Sequence, residues 1–344
     1  MRAVVLTGFG GLDTLDYRED VPDPEPGPGE VRVCVGAAGI NNTDIWTRQG
    51  AYGAADDPDA STGWRREPLR FPRIQGADVA GRIDQVGPGV SESRIGERVL
   101  VDPMLYDGDE RALVTTEYLG SERDGGFAEY VTVPAANAHP REGALTDAEL
   151  ATFPTAYATA MRMLNRADVG QSETVLVTGA SGGVGSALIQ LATLRGAGVI
   201  AVVGKGKEVR ARELGAAEVI GRDELTDAVS DDAVDVVADV VAGPSFPVLL
   251  RALRPLGRYV VAGAIAGPLV ETDLRTVYLK QVQLIGSSFG SHDDFAQLVA
   301  HIRNGELSPL LAGTYPLREL RAAQEAFMAK DFFGKLVVVP EIAS

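Results

Sequence analysis

Apolar and polar side chains alternate along this chain in two different grammars. In the first, apolar residues recur every second position or come in short runs cut by Gly and Pro. Val31-Arg32-Val33-Cys34-Val35 has the period of a half-buried strand. Val79-Ala80-Gly81-Arg82-Ile83, Glu97-Arg98-Val99-Leu100-Val101 and Phe127-Ala128-Glu129-Tyr130-Val131-Thr132-Val133 predict further strands. Residues 22–29 hold Pro and Gly too densely for a helix or a central strand, so they predict a loop. Residues 1–135 are therefore expected to be mostly β.

The second grammar begins near residue 146. Thr146-Asp147-Ala148-Glu149 combines an N-cap residue with first-turn acids, which predicts a helix start. From Thr174 onward, strand, Gly-rich turn, helix and strand repeat. Apolar runs at 175–178, 199–203, 234–240, 258–262 and 283–286 predict buried strands. Strands alternating with helices imply right-handed crossovers and a doubly wound parallel sheet, an α/β fold. Two amphipathic segments and a last strand, Lys335-Leu336-Val337-Val338-Val339, follow within 295–340. Residues 51–72 and 102–124 read as long loops.

The length of 344 residues suggests two domains. A formal net charge of -16 argues against a nucleic-acid or anionic membrane surface, since both attract Lys and Arg. The one cysteine, Cys34, permits no intrachain disulfide and fits a reducing cytoplasm. The N-terminus does not read as a signal peptide, and no apolar run reaches the roughly 18 residues of a membrane span. A cytoplasmic location is the expectation.

The most specific chemistry lies in Thr178-Gly179-Ala180-Ser181-Gly182-Gly183-Val184-Gly185-Ser186, between a predicted strand and a predicted helix. Glycines there permit a tight turn and close approach of a pyrophosphate, and the helix N-terminus supplies N–H groups and positive dipole. Gly179, Ser181, Gly182, Gly183 and Val184 are the expected contacts. The next strand ends in Gly204-Lys205-Gly206-Lys207, where an NAD site carries an acid for the ribose 2′-OH. Gly204, Lys205 and Lys207 instead suit a 2′-phosphate, so NADPH is the expected cofactor. Arg210 and Arg212 lie just beyond.

Gly39-Ile40-Asn41-Asn42-Thr43-Asp44, Gly76-Ala77-Asp78-Val79-Ala80-Gly81, Gly125-Gly126-Phe127-Ala128-Glu129-Tyr130, the Gly-rich turn and Gly334-Lys335-Leu336-Val337 together resemble the medium-chain dehydrogenase/reductase superfamily. The resemblance implies a GroES-like β domain built from residues 1–147 and 295–344, with a Rossmann domain, 148–294, inserted. The cleft between them would hold the nicotinamide, with Thr155 and Thr159 in contact with it. It also implies a homodimer paired along the sheet edge at 282–286.

Zinc-dependent members carry Cys where Asn41 stands, His-Glu where Ala77-Asp78 stands, and Cys or Asp near Thr155. A catalytic zinc needs about three protein ligands around an open position, and only Asp78 could serve here. The structural zinc lobe of such members would fall in 102–124, which has no cysteine, and His139, His292 and His301 are scattered. Asn41 together with Tyr52 resembles the zinc-free quinone-oxidoreductase branch. The expected reaction is hydride transfer from NADPH to a small enone or quinone, whose added charge delocalises without a metal.

Asn41 is expected to hydrogen-bond the cofactor ribose or the substrate carbonyl; the alternative is a turn-capping Asn. Tyr52 is expected to deliver a proton or bind the oxyanion; the alternative is an aromatic lining a loop, with water as the proton donor. Asp44 reads as fixing a loop and Asp78 as a structural remnant. Residues 51–72, with Trp64, Arg65, Arg66 and Phe71, are expected to cover the cleft, with Met104-Leu105-Tyr106 lining the same pocket. Two other functions fit the same residues. One is a zinc-independent carbonyl or alcohol oxidoreductase. The other is a non-redox NADPH-binding cyclase, isomerase or sensor.

Overall fold

The computed structural model describes residues 1–53, 62–65, 67 and 69–340. Two compact units emerge, 1–155 with 309–344 and 156–308. The resemblance implies joints at 147/148 and 294/295. Two helices move them. Helix Asp147–Leu150 packs on strand Glu30–Gly39 of the first unit and holds Arg98 through Asp147 at 2.6 Å. Helix His292–Arg303 belongs to the second unit, because Asp294 accepts from Arg162 at 3.2 Å and Asn165 at 2.5 Å on helix Pro154–Arg166.

The first unit is built around a seven-stranded sheet. Its order is Ala138–Pro140, Arg98–Val101, Asp78–Val86, Glu30–Gly39, Lys335–Val339 and Leu311–Pro316, with Tyr130–Pro134 also paired to Glu30–Gly39. Val31, Val33 and Val35 alternate inward, as the period of two requires, and join Val99, Val101, Phe127 and Val338 in one core. The last strand lies antiparallel to Glu30–Gly39, with Val337 opposite Gly39 and Val338 opposite Ala38. Strands from the early and late parts of the chain therefore share one sheet, which gives the GroES-like arrangement.

Glu30–Gly39 runs through Ile40 and Asn41 into helix Asn42–Gln49, which closes on Gly50 in the left-handed conformation, φ 67°. The far end of this helix is fixed by Arg48, which is 1% exposed. Arg48 Nε donates to Gln324 Oε1 at 2.9 Å, and Nη1 donates to the Gly10 carbonyl at 2.7 Å.

Residues 102–124 are more ordered than the sequence suggested. Met104–Leu105 pairs with Glu117–Tyr118, and a 3₁₀ turn covers Ala112–Thr115. These strands are two residues long, too short to leave a period in the sequence. Glu122 accepts from the Tyr118 N–H and from Trp64 Nε1, both at 3.0 Å, so Trp64 docks on this segment. Residues 56–59 and Arg66, also part of the expected cover, lie outside the described residues.

The second unit is a six-stranded parallel sheet in the order Glu218–Gly221, Gly198–Val203, Thr174–Val177, Val234–Asp239, Leu253–Val261, Gln283–Gly286. That is the doubly wound 3-2-1-4-5-6 order of dinucleotide-binding domains. Glu218–Gly221 escaped the sequence reading because it begins on an exposed acid and buries only Ile220. No helix among the described residues is long and apolar enough to cross a membrane.

Gly185 sets the tightest contact of the dinucleotide turn. A Cβ there would lie 2.2 Å from the Gly179 carbonyl oxygen, so helix and turn would have to separate. Gly185→Ala is expected to lower the melting temperature and to weaken binding of a nicotinamide dinucleotide at least ~10-fold, read by fluorescence titration. Unchanged binding would contradict this packing role.

Candidate active site

The first unit gathers its polar residues where strand Glu30–Gly39 turns into helix Asn42–Gln49. Asn41 is the N-cap residue, at φ -124° and ψ 161°. An N-cap Asn usually gives its side-chain oxygen to a helix N–H. Here the side-chain oxygen accepts from Lys335 Nζ at 2.5 Å, and the Asp44 N–H donates to the Asn41 backbone carbonyl at 3.2 Å. The cap is completed from the other side, since the Asp44 carboxylate accepts the Asn41 backbone N–H at 2.7 Å. Asn41 Nδ2 is buried and has no acceptor among the described residues.

Lys335 opens the last strand and is 3% exposed. Its ammonium also donates to Asp78 Oδ2 at 2.8 Å. Asp78 is fully buried, and its other oxygen accepts the Thr155 N–H at 2.8 Å. Thr155 Oγ1 shares a hydrogen bond of 2.9 Å with the Tyr118 hydroxyl. Tyr52 donates to Thr43 Oγ1 at 3.1 Å and meets the edge of Trp46 with ring centroids 5.3 Å apart. Gln75 ties the floor of the cluster by donating to the Asp44 carbonyl at 2.9 Å.

Burial dominates the electrostatics. It pushes the Asp44 carboxyl up to about 7, and the charge of Asp78 adds to the rise. The Asn41 N–H and the Lys335 ammonium oppose it. Burial also carries the Tyr118 hydroxyl well above its usual range, with Asp78 and Asp44 adding to it, and raises Tyr52. Both phenols therefore keep their protons at neutral pH and act as donors.

Asn41, Tyr52 and Thr155, singled out from the sequence, all lie in this unit. Thr159 follows Thr155 by one turn of helix Pro154–Arg166; it is buried and belongs to the second unit. Sequence reasoning missed Lys335 as a site residue and Tyr118 altogether. A lysine opening an apolar strand was the available signal, because Lys is rarely buried without a partner. Tyr118 sits in a segment without a period and left no comparable trace. Asp78, read as a remnant, is the buried counter-ion of Lys335.

The second unit presents the dinucleotide turn. Thr174–Val177 ends in Thr178, and Gly179 turns at φ 56°. Gly182 is the N-cap of helix Gly183–Leu194 and offers no side chain to its free N–H groups. Ser181, Gly183 and Val184 are half-buried around that end. The turn is held by Asp239, which accepts the hydroxyls of Thr178 and Tyr259 and the N–H groups of Val241 at 2.8 Å and Ala242 at 3.1 Å.

Gly198–Val203 leads into Gly204 and the exposed Lys205; Lys207 is the N-cap of the next helix. Arg210 is engaged by Glu213 at 2.9 Å. A further cation was not foreseen. Val203 pairs in register with Gly221, so Arg222 follows directly at the neighbouring strand end. Its Nη2 lies 3.5 Å from where a Cβ on Gly204 would stand. These features fit a nicotinamide dinucleotide: a glycine turn, an uncapped helix start, and a strand end edged by cations. Among the described residues, no three His, Cys, Asp or Glu side chains gather to hold a metal ion.

A parallel 3-2-1-4-5-6 sheet with this turn, and a β unit closed by both chain ends, define a two-domain oxidoreductase of the nicotinamide-dependent kind. Known proteins agree. Residues 27–143 match the family described as alcohol dehydrogenase GroES-like domain, and 183–304 the family described as zinc-binding dehydrogenase. A solved protein of Sinorhizobium meliloti 1021, provisionally named an alcohol dehydrogenase, is 56% identical with a TM-score of 0.95, covering 99% of this chain and 97% of its own. Quinone oxidoreductase of Mus musculus is 31% identical over 98% of each chain. NAD-dependent alcohol dehydrogenase of Sulfurisphaera tokodaii is 28% identical over 99% of this chain and all of its own. The chain belongs to the medium-chain dehydrogenase/reductase superfamily.

Asp44 gives this cluster a pH signature. Its carboxyl moves from an ordinary 3.8 to about 7 on folding, so the folded protein binds the extra proton between those values. Stability from this group is complete below about pH 4 and is lost as pH rises through about 7. Asp44→Asn should remove that slope. Its melting temperature relative to wild type is expected to rise from pH 4 to 7 and then level, by an amount worth up to about 3 kcal/mol. A pH-independent difference would contradict the assignment.

Proposed function

We propose that this protein is an NADPH-dependent reductase of small α,β-unsaturated carbonyl compounds or quinones that works without zinc. One observation carries the reading: the Lys335 ammonium sits hydrogen-bonded between Asn41 and Asp78. In zinc-dependent members those two positions carry Cys and the Glu of His-Glu. A buried cation there repels a second one, and an amide oxygen is a poor substitute for a thiolate. The residues do not fit a catalytic zinc, and no step is assigned to one.

The acceptor class follows from that absence of a Lewis acid. A simple ketone concentrates the added charge on one oxygen, whereas an enone or quinone spreads it. NADPH, when bound, supplies the hydride. The chain's own residues answer the developing charge. Asn41 Nδ2 is a buried donor with no acceptor, suited to the carbonyl oxygen as it becomes anionic. Tyr52, protonated at neutral pH, holds a proton beside the same helix start.

The preference for NADPH is supported by Lys205 and Arg222, with Lys207 nearby, at a strand end that bears no acid. A second reading, oxidation and reduction of a simple alcohol–carbonyl pair, is favoured by the relatives named alcohol dehydrogenases. Two copies are further proposed to pair along Gln283–Gly286, an outer strand flanked by exposed Leu269, Leu274, Tyr278, Leu279 and Leu284.

The test is NADPH oxidation against quinones, linear and cyclic enones, enoyl thioesters and simple ketones, with NADH in parallel and with or without a chelator. Chelator-insensitive turnover of enones or quinones is expected; turnover of simple ketones alone would favour the second reading. Arg222→Ala should raise KM for NADPH about 10-fold or more and leave KM for NADH nearly unchanged. Equal effects on both cofactors would remove Arg222 from the 2′-phosphate site. Light scattering should give a dimer, and a monomeric mass would refute the pairing.

A further inference from the structure

We propose that Lys335 is a positioning residue: it locks the Asn41 carboxamide so that Nδ2, and not Oδ1, faces the substrate oxygen. This rests on the reading of the reaction given above and assigns the orientation of its main donor.

The chemistry of the two groups leaves one arrangement. A carboxamide has an accepting end and a donating end, whereas an ammonium can only donate. Lys335 therefore fixes Oδ1 toward itself, at 2.5 Å, and turns Nδ2 away. An Asn at an N-cap would otherwise turn its oxygen toward the helix N–H groups, with the opposite outcome for Nδ2. Here the Asp44 N–H donates to the Asn41 backbone carbonyl at 3.2 Å instead.

Three further observations support the lock. Asn41 is only 7% exposed, so water does not freely exchange its partners. Asp78 accepts from Lys335 at 2.8 Å and from the Thr155 N–H at 2.8 Å, which anchors the ammonium from behind. Asp44 accepts the Asn41 backbone N–H at 2.7 Å, which fixes the backbone from which the carboxamide projects. A cation on Oδ1 also draws electron density from the amide and makes its N–H groups stronger donors. An unanswered, polarised donor is the group that a developing enolate or hydroquinone oxygen would take up.

Removing Lys335 alone would strand Asp78 as a buried unpaired charge, and such a protein could fail to fold. The test therefore removes both charges together: Asp78→Asn with Lys335→Met leaves two neutral side chains and no unpaired buried ion. Melting confirms folding of each variant, and NADPH affinity is measured apart from turnover. The double variant is expected to lower kcat by about 100-fold relative to wild type, with NADPH affinity held within about 2-fold. Adding Asn41→Ala should then reduce kcat by no more than about 3-fold, because the donor is already misaligned. Lys335→Arg in the otherwise native chain, which keeps a cation, should stay within about 10-fold of wild type.

Independent, multiplying losses from Lys335→Met and Asn41→Ala would overturn the proposal. So would a loss of NADPH affinity that accounts for the fall in rate. A readout without turnover separates this inference from the proposed reaction. The side-chain ¹⁵NH₂ signals of Asn41, assigned by their loss in Asn41→Ala, should shift in Asp78→Asn/Lys335→Met relative to wild type. If no acceptor is reduced by wild type, the proposed reaction fails. The amide signals then decide the positioning role alone, and unshifted signals reject it.

Discussion

The first unit depends on an ammonium group that has been taken out of water. Lys335 is 3% exposed, and a buried charge is held only by a counter-charge and hydrogen-bond partners. Asp78 supplies the compensating charge, and Asn41 supplies a neutral acceptor. Each of these obligations spreads. Asp78 has a second oxygen, which holds the start of helix Pro154–Arg166 through Thr155. Asn41, with its oxygen committed, leaves its helix cap to Asp44. Removing one partner of such a pair costs about 3–5 kcal/mol, so the arrangement is kept or lost as a whole.

The second unit rests on a different device, with backbone in place of charge. Its turn brings helix Gly183–Leu194 so close to Gly179 that no side chain fits at Gly185. Asp239 braces the turn from the neighbouring strand through the Thr178 hydroxyl, and two N–H groups of the following loop converge on the same carboxylate. Tyr259 brings its hydroxyl to Asp239 from the strand beyond. A rigid frame of this kind leaves the free helix N–H groups as the recognition surface for phosphate. In the proposed preference for NADPH, the strand end at Gly204 and the cations beside it would distinguish the 2′-phosphate.

The sequence made the scaffold legible because the scaffold is periodic. Val31, Val33 and Val35 announce a half-buried strand, and the apolar runs from Val175 to Ile285 announce a parallel sheet. The turn at 178–186 was legible because strand, glycines and helix stand in order. The candidate site was legible only residue by residue. Asn41 and Tyr52 stood out, but their partners come from elsewhere: Lys335 lies 294 positions from Asn41, and no local pattern links them. Arg222 was invisible for a related reason, since it follows a strand of four residues that the pattern did not show. Tyr118 sits on a two-residue strand, too short for any period. Periodicity reports which face is buried, while a site is made by register between distant strands.

The central claim is that a lysine-held amide, and not a metal, receives the negative charge formed on the acceptor. A crystal structure of the protein with NADP⁺ and an unreactive enone or quinone analogue tests it most directly. The account predicts the ligand's carbonyl oxygen within hydrogen-bond distance of Asn41 Nδ2, about 3 Å, with Lys335 still bound to Asn41 Oδ1. A metal ion between Asn41 and Asp78, or a carbonyl oxygen held by other groups with the Asn41 amide turned away, would contradict it.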